Sequence, residues 1–151
     1  MKTQNFFIDL TQRPPRSFRV RLGNYVILAR MLDKGRATLA RKNGEYKYNS
    51  GTDQHLVRFL GFDPKALLKQ LAAGKGDGEI LKWIEAHAKN KRSDSEIEAW
   101  SVKEERRAPG NPDSRDYFNS LHKNVAPKRE DVISWFDLLD VDDYVSFGGK
   151  A

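Results

Sequence analysis

The 151-residue chain carries 27 Lys+Arg against 21 Asp+Glu, and 38% of its residues are hydrophobic, with 3 Trp, 5 Tyr, 8 Phe and no Cys. This aromatic content excludes a simply disordered chain, and the lack of cysteine excludes disulfides, thiolate catalysis and Cys-based zinc sites and favours a cytoplasmic location. The longest apolar run, residues 25–29, is far too short to span a membrane, and no leader pattern opens the chain, so we expect neither membrane insertion nor secretion.

The positive charge is concentrated in the first third of the chain. Residues 1–50 carry 11 Lys+Arg against 3 Asp+Glu, a net charge of +8, whereas residues 51–100 balance 8 against 8. Residues 101–151 carry 8 against 10, a net charge of −2. An acidic partner or a small anion is therefore expected to approach the N-terminal third.

The first predicted element, residues 1–23, is an extended arm. Its stretch "TQRPPRSFRV" contains a Pro-Pro pair, which favours polyproline geometry over helix. Four arginines are spaced along this arm: Arg13, Arg16, Arg19 and Arg21.

A helix is predicted from Asn24 to about Lys42, ending at Asn43-Gly44, because both of the latter residues tolerate left-handed backbone. An alternative interpretation makes Asn43-Gly44 the turn of a β-hairpin within residues 37–48, between "TLARK" and "EYKY".

The rest of the chain shows helical spacing with clear start and stop signals. We predict short helices from Thr52 to Gly61, from Asp63-Pro64 to Gly74, from a cap at Asp77, and from "SDSE" at 93–96, and two more follow the loop at 108–113. The prediction is an all-α single domain over residues 1–151, with six to seven short crossed helices and at most one small β-hairpin. Its helical core would span residues 24–140 and its irregular tail residues 141–151.

The stretch "RMLDKGR" places four charges in a helix that is otherwise apolar nearly all round, which is typical of a buried helix. Arg30, Asp33 and Lys34 share one side, and Arg36 is three residues from Asp33. Since isolated buried ions are costly, these charges require partners or a polar cleft. Whether they form a structural ion-pair network or a ligand site is left open by the sequence.

Four aspartates near the C-terminus offer one set of partners. They are predicted at the end of a helix, where the helix dipole disfavours negative charge, so nearby cations would offset it: Asp137, Asp140, Asp142 and Asp143. A divalent metal is an alternative partner, but the spacing lacks the EF-hand pattern, and we predict no metal site.

Other motifs are weak. "GKGDGE" at 74–79 lacks the GK[ST] core of a phosphate loop and is interpreted as a turn between helices. The following helix would present Asp77 and Glu79 to a DNA groove, so nucleic-acid binding is not favoured. The histidines His55, His87 and His122 fall on three different predicted helices, without zinc-ligand spacing.

Six segments together resemble an uncharacterised bacterial family, catalogued as domain of unknown function fifty sixty-nine: "DLTQRPPRS", "RLGNYVILARMLDKGRATLA", "NGEYKYNSGTDQ", "GKGDGEILKWI", "APKREDVISWFDLLD" and "DDYVSFGGKA". The resemblance implies one domain over essentially the whole chain and implies no particular activity. The sequence departs from the family's usual "RSPR" and "LGG" at Phe18 and Asn24, where a less rigid arm and a different helix start are expected.

No nucleophile motif, metal motif or cofactor signature is present, which favours a binding or regulatory domain over an enzyme. In the first hypothesis, its basic N-terminal surface contacts an acidic protein surface or a small anion. In the second, an enzyme or small-anion receptor has its pocket beside Arg30, Asp33 and Lys34. A third, non-specific nucleic-acid binding, rests only on the basic N-terminal third.

In the pocket of the second hypothesis, arginines would clamp a carboxylate or phosphate, a tyrosine would supply a hydroxyl group, and an aspartate would act as a base. The candidate ligand-binding residues are Arg16, Arg19, Tyr25, Arg30, Asp33, Lys34, Arg36, Tyr46 and Asp53.

Overall fold

The computed structural model describes residues 6–151. Within this range the protein is all-α, as predicted, and its only strand-like feature is an isolated antiparallel bridge between Leu22 and Tyr25. The helices are α1 Leu28–Leu39, α2 Asp53–Leu60, α3 Pro64–Ala72, α4 Asp77–His87, α5 Asp94–Glu105, α6 Pro112–Val125 and α7 Trp135–Ser146. None of these helices combines the length and apolar character needed to span a bilayer.

The start of α1 differs from the prediction. The helix begins at Leu28 instead of Asn24, because Asn24 and Ile27 adopt φ angles of 66° and 75°, which no right-handed helix contains. Asn24 stands where the resembled family usually has glycine, and asparagine is among the residues that tolerate this backbone region best. The Ile27 amide donates to the Phe18 carbonyl at 2.9 Å, which fixes the chain as it enters α1.

The end of α1 also comes earlier than predicted. The helix stops at Leu39, and Arg41 adopts φ 57° while the Lys42 amide donates back to the Ala37 carbonyl at 2.8 Å. A positive φ at the residue that follows the C-cap, here Ala40, is a common way to satisfy the last carbonyls of a helix. Residues 37–39 are helical and residues 40–50 form turns, so the hairpin interpretation of residues 37–48 is wrong.

Several predicted boundaries are confirmed. Gly61 ends α2 with φ 71°, and Asp63 caps α3 by accepting the Lys65 amide at 2.9 Å. At α4 the cap is Gly76, and Asp77 is the first helical residue, so the prediction of Asp77 as the cap was one residue too late. That shift leaves the Asp77 carboxylate available for contacts outside its own helix.

The chain divides into two compact units, the first ending at Glu98 and the second comprising Ala99–Ala151. In the first unit α1 packs against α2 and α3, and α3 packs against α4. Every residue of α1 from Leu28 to Gly35 is buried, which confirms the prediction of a buried helix. The single-domain prediction stays a prediction.

The N-terminal arm was predicted to be extended over residues 1–23, of which residues 1–5 lie outside the described range. Residues 6–23 are non-helical, as predicted, but they include turns at residues 10–12 and 18–19 where an extended course was predicted. The arm is anchored by buried apolar side chains, since Leu10 and Phe18 are 1% and 4% exposed. The Leu10 amide also donates to the Lys42 carbonyl at 2.8 Å. This anchoring fixes the position of Arg16, which lies between the two buried residues in sequence.

The second unit packs α6 against α7 around a small apolar core of Phe118, Ala126, Val132, Leu138 and Val141. Helix α7 runs to Ser146, past residue 140 where the helical core was predicted to end. Asp137 therefore lies in the first turn of α7, where its Oδ2 accepts the Ser134 amide at 2.9 Å in a capping box. The prediction that the aspartates of residues 137–143 lie at the end of a helix is therefore wrong for Asp137, whereas Asp143 does lie in the last turn of α7.

Candidate functional site

The first unit carries an open cleft of about 520 Å³. Its charged lining comes from the arm, α1 and the start of α4, and comprises Arg16, Asp33, Arg36, Lys75 and Asp77. The remaining wall is apolar or glycine: Phe6, Ile8, Leu71, Gly74 and Gly76. A volume of this size lies within the range of roughly 300–1,000 Å³ typical of small-molecule sites.

Arg16 and Asp33 form the fixed side of the cleft. The Arg16 Nε and Nη2 atoms each lie 3.0 Å from a different Asp33 oxygen, and the Arg16 backbone amide donates to Asp33 Oδ2 at 2.9 Å. The Asp33 side chain is only 3% exposed. Because an arginine fork matches a carboxylate in a bidentate geometry, this pair holds both the arm and the guanidinium in a defined orientation.

Asp77 bridges two arginines across the cleft. It accepts from Arg16 Nη1 at 2.9 Å and from Arg36 Nη1 at 2.7 Å. Burial alone would raise the pKa of Asp77, but hydrogen bonds and charge from the two arginines outweigh burial and lower it. Asp77 also holds the pKa of Arg16 above its ordinary value together with Asp33, again against the effect of burial. Asp77 and Arg16 are therefore both ionised near neutral pH.

Arg36 extends from the last turn of α1 towards the turn that precedes α4. Besides its bond to Asp77, it donates from Nη2 to the Lys75 carbonyl at 3.1 Å. The Arg36 side chain is 11% exposed, whereas Lys75, Asp77 and Arg16 are 43%, 32% and 32% exposed. Three cations and two carboxylates thus line the cleft, which gives this lining a formal net charge of +1.

Arg30 is sealed away from this cleft. It is 4% exposed, and its guanidinium carbon lies 4.6 Å from the Phe18 ring centroid and 5.2 Å from that of Tyr46. Nη1 donates to the Arg16 carbonyl at 3.3 Å. A desolvated arginine gains stabilisation from aromatic faces, so Phe18, which replaces the family's usual proline, contributes to the burial of this charge.

Lys34 and Asp53 form a second sealed pair. Lys34 Nζ lies 2.8 Å from Asp53 Oδ2, and the two side chains are 3% and 0% exposed. Lys34 also donates to the Ser50 hydroxyl at 3.1 Å, and the Ser50 amide donates to Asp53 Oδ2 at 3.0 Å. These contacts connect α1 to the start of α2, and they place neither charge among the residues that line the cleft.

The structure therefore divides the residues predicted for the site. Arg16, Asp33 and Arg36 come together in the cleft; Arg30, Lys34, Tyr46 and Asp53 make the buried contacts described above. Of the three residues beside which a pocket was predicted, only Asp33 lines the cleft, because the Arg30 and Lys34 side chains are buried against other partners. That these residues form a ligand site stays a prediction.

The last two predicted residues lie outside the cleft lining. Tyr25 is 4% exposed, and burial, aided by Glu85 and Asp94, raises its hydroxyl pKa. Arg19 is exposed, and its backbone amide donates to the Ser17 hydroxyl at 3.1 Å. Neither residue therefore contributes to the arrangement around Asp33 and Asp77.

Sequence reasoning missed Lys75 and Asp77. Both lie in "GKGDGE", which was interpreted as a turn between helices, and the turn itself is present. Asp77 is 61 residues from Arg16 and 41 from Arg36, so no local spacing indicates either pair. The available signal was the positive charge of the arm and α1, which exceeds what Asp33 alone can neutralise.

The three histidines lie on separate helices, His55 in α2, His87 in α4 and His122 in α6. His87 is stacked on Trp83 at a centroid distance of 4.6 Å. Among the described residues no group of three or more His, Cys, Asp or Glu side chains is arranged to hold a metal ion.

The fold and cleft define a small all-α protein with a charged site of ligand size in its first unit. Among protein families, residues 12–145 match the family described as "Domain of unknown function (DUF5069)". The match covers most of the chain and extends over both units, and the protein belongs to this family, which confirms the resemblance inferred from the sequence. A comparison with curated proteins gives no match.

Proposed function

We propose that this protein is a binding or regulatory protein of the bacterial cytoplasm that takes a small anion into the cleft between Arg16, Arg36 and Lys75. One observation carries the proposal: cations from three separate segments converge on an open, ligand-sized concavity. Ion pairs that serve stability alone need no such opening, as the sealed pair of Lys34 and Asp53 illustrates.

The fixed positions of the arginines support selective anion binding. Arg16 is already oriented by Asp33, so little side-chain freedom is lost when a ligand binds. Arg36 and Lys75 face the same cleft, and guanidinium and ammonium groups both pair with carboxylates. Asp77 is the internal partner of Arg36 in the cleft, and an incoming carboxylate competes with it for Arg36.

A small anion is favoured over an acidic protein surface. Arg36 is the least exposed of the three cations, at 11%, so a flat acidic surface would not reach it. The exposed arginines of the arm, such as Arg19, lie outside the cleft lining. A ligand that enters the cleft can contact Arg36 directly.

The test is a thermal-shift titration of the full chain with sodium acetate, succinate and inorganic phosphate at constant ionic strength. A ligand that binds only the folded state stabilises it by about 2.7 kcal/mol at a concentration 100 times its Kd. We expect a saturable rise in Tm for at least one anion, and we expect Arg36→Gln to abolish that rise. Arg58→Gln, at an exposed arginine of α2, is the matched control and should retain it.

Circular dichroism of both variants verifies that the helices persist. The absence of a saturable shift with every anion, or an equal shift in Arg36→Gln and wild type, would contradict the proposal.

A further inference from the structure

We infer that the ligand of this cleft is a monocarboxylate with an apolar tail, aliphatic or aromatic, whose tail occupies a second cavity beside the Arg16/Arg36 cleft. This inference rests on the proposed anion binding and specifies its ligand class.

The second cavity lies next to the cleft, because two residues line both. It has a volume of about 160 Å³ and is lined by Phe7, Leu39, Ala40, Leu71 and Arg36. Leu71 and Arg36 also line the cleft. A ligand held by Arg36 at one end therefore has an apolar compartment directly next to its charged group.

The composition of this compartment favours hydrocarbon. Apart from Arg36, which lies at the junction, its lining side chains are all apolar. Leu39 and Phe7 are 40% and 39% exposed, large values for apolar side chains in a folded protein. An apolar tail packed against these two side chains would remove surface from water on both partners, which is the main source of affinity for such a group.

The volume indicates the size of the tail. The cavity of about 160 Å³ is close to the roughly 150 Å³ of an engineered apolar cavity that accepts benzene. A phenyl ring, or an aliphatic segment of about six carbons, therefore fills it.

The charge of the cleft favours one carboxylate over a more highly charged group. Arg16, Arg36 and Lys75 face Asp33 and Asp77, so the lining itself has one positive charge in excess. Lys75 also lies 3.6 Å from the exposed Glu79, outside the lining, and a bound carboxylate would compete with that pair. A single carboxylate neutralises this excess. A phosphate or dicarboxylate would add a further negative charge against Asp33 and Asp77, which like-charge repulsion disfavours.

The experiment is an isothermal titration of the full chain with straight-chain carboxylates from acetate to decanoate, below their aggregation concentrations. Each buried methylene is expected to raise the affinity roughly fourfold, up to about six tail carbons, and longer tails should add nothing further. Alcohols of the same lengths should bind at least tenfold more weakly, because they lack the charge that Arg36 recognises.

Two variants separate the tail from the head group. In Leu39→Ser the affinity should rise less steeply with chain length, while acetate, which has no tail to bury, should still bind in an Arg36-dependent way. Phe7→Ser, which lies outside any helix, should give the same result if Leu39→Ser perturbs the end of α1. Val20→Ser is the control, because Val20 is 39% exposed and lines neither cavity. In this variant the affinity should rise with chain length as it does in the wild type.

The outcomes distinguish the two proposals. The proposed tail compartment is wrong if acetate binds in an Arg36-dependent way but affinity does not rise with chain length. It is also wrong if phosphate and succinate bind more tightly than hexanoate. In both cases the proposal of anion binding in the cleft is retained. If no carboxylate or phosphate binds, both proposals fail.

Discussion

Arg16 binds the Asp33 carboxylate through both its backbone and its side chain. The Arg16 backbone amide donates to Oδ2 at 2.9 Å, and its guanidinium Nη2 donates to Oδ1 at 3.0 Å. Asp33 is buried in the middle of α1, and Arg16 belongs to a segment without regular secondary structure. One carboxylate thus connects the arm to the central helix of the first unit and, at the same time, orients a cation that faces the cleft.

Replacement of Asp33 by alanine should destabilise the protein strongly. Breaking a buried pair by removing one partner costs about 3–5 kcal/mol, and we expect about 2–4 kcal/mol here because water can still reach Arg16, whose side chain is 32% exposed. Urea denaturation should report a lower midpoint in Asp33→Ala. The exposed pair of Arg129 and Asp131 provides the control, and Asp131→Asn should leave the midpoint unchanged. Equal midpoints for Asp33→Ala and wild type would mean that the arm is not held by this contact.

Lys34→Met should test whether the sealed pair of Lys34 and Asp53 is structural. The variant leaves the fully buried Asp53 without its cation, and the free energy of unfolding should fall by about 3–5 kcal/mol. Because Lys34 does not line the cleft, the anion-dependent Tm shift should persist in the folded variant. The pair is not structural if Lys34→Met lowers the free energy of unfolding by less than about 1 kcal/mol. The same conclusion follows if the variant loses the anion-dependent Tm shift without losing stability.

Protonation of Asp77 should make the free energy of unfolding depend on pH in the acidic range. Arg16 and Arg36 outweigh burial and lower the pKa of Asp77 below its ordinary value of 3.8, so the unfolded chain takes up the proton first as the pH falls. The stabilisation is therefore complete above 3.8 and is lost as the pH falls through the folded-state pKa. Chemical denaturation at a series of pH values should show the difference in stability between wild type and Asp77→Asn narrowing below 3.8. A constant difference through this range would exclude Asp77 as the titrating group.

Replacing two glycines by alanine should change the stability of the protein in opposite directions. In an isolated helix, alanine is favoured over glycine by about 1 kcal/mol. At Gly35, however, a Cβ would lie 2.6 Å from Leu71 Cδ1 and 3.2 Å from Tyr48 Cδ2, and Leu71 is 1% exposed and closely packed. Gly35→Ala should therefore destabilise the protein by about 1–3 kcal/mol. At Gly78 of α4 nothing lies within 4 Å of the added atom, so Gly78→Ala should stabilise it by about 0.5–1 kcal/mol.

Thermal or urea denaturation of both glycine variants checks this pair. Stabilisation by both substitutions would indicate that α3 can move away from Gly35, and the close approach of Leu71 would then not be required for folding.

Local chemistry made much of the fold predictable. Asp63 followed by Pro64 caps α3, and Ser93 and Glu96 form the predicted capping box of α5, because these bonds join residues two or three positions apart. The boundaries of α1 were harder to predict, because they depend on positive φ angles at Ile27 and Arg41, residues that carry no local signal for that conformation.

The sequence by itself determined that α1 is buried and that its charges need partners, since an apolar helix interrupted by "RMLDKGR" allows few other solutions. It also located Arg16, Asp33 and Arg36 among the candidates. Only the tertiary structure decided which partner each charge takes: Asp33 pairs with Arg16, Lys34 with Asp53, and Arg36 with Asp77. The physical reason is distance along the chain, because ion pairs between residues 17 to 61 positions apart depend on packing and leave no periodic trace in the sequence.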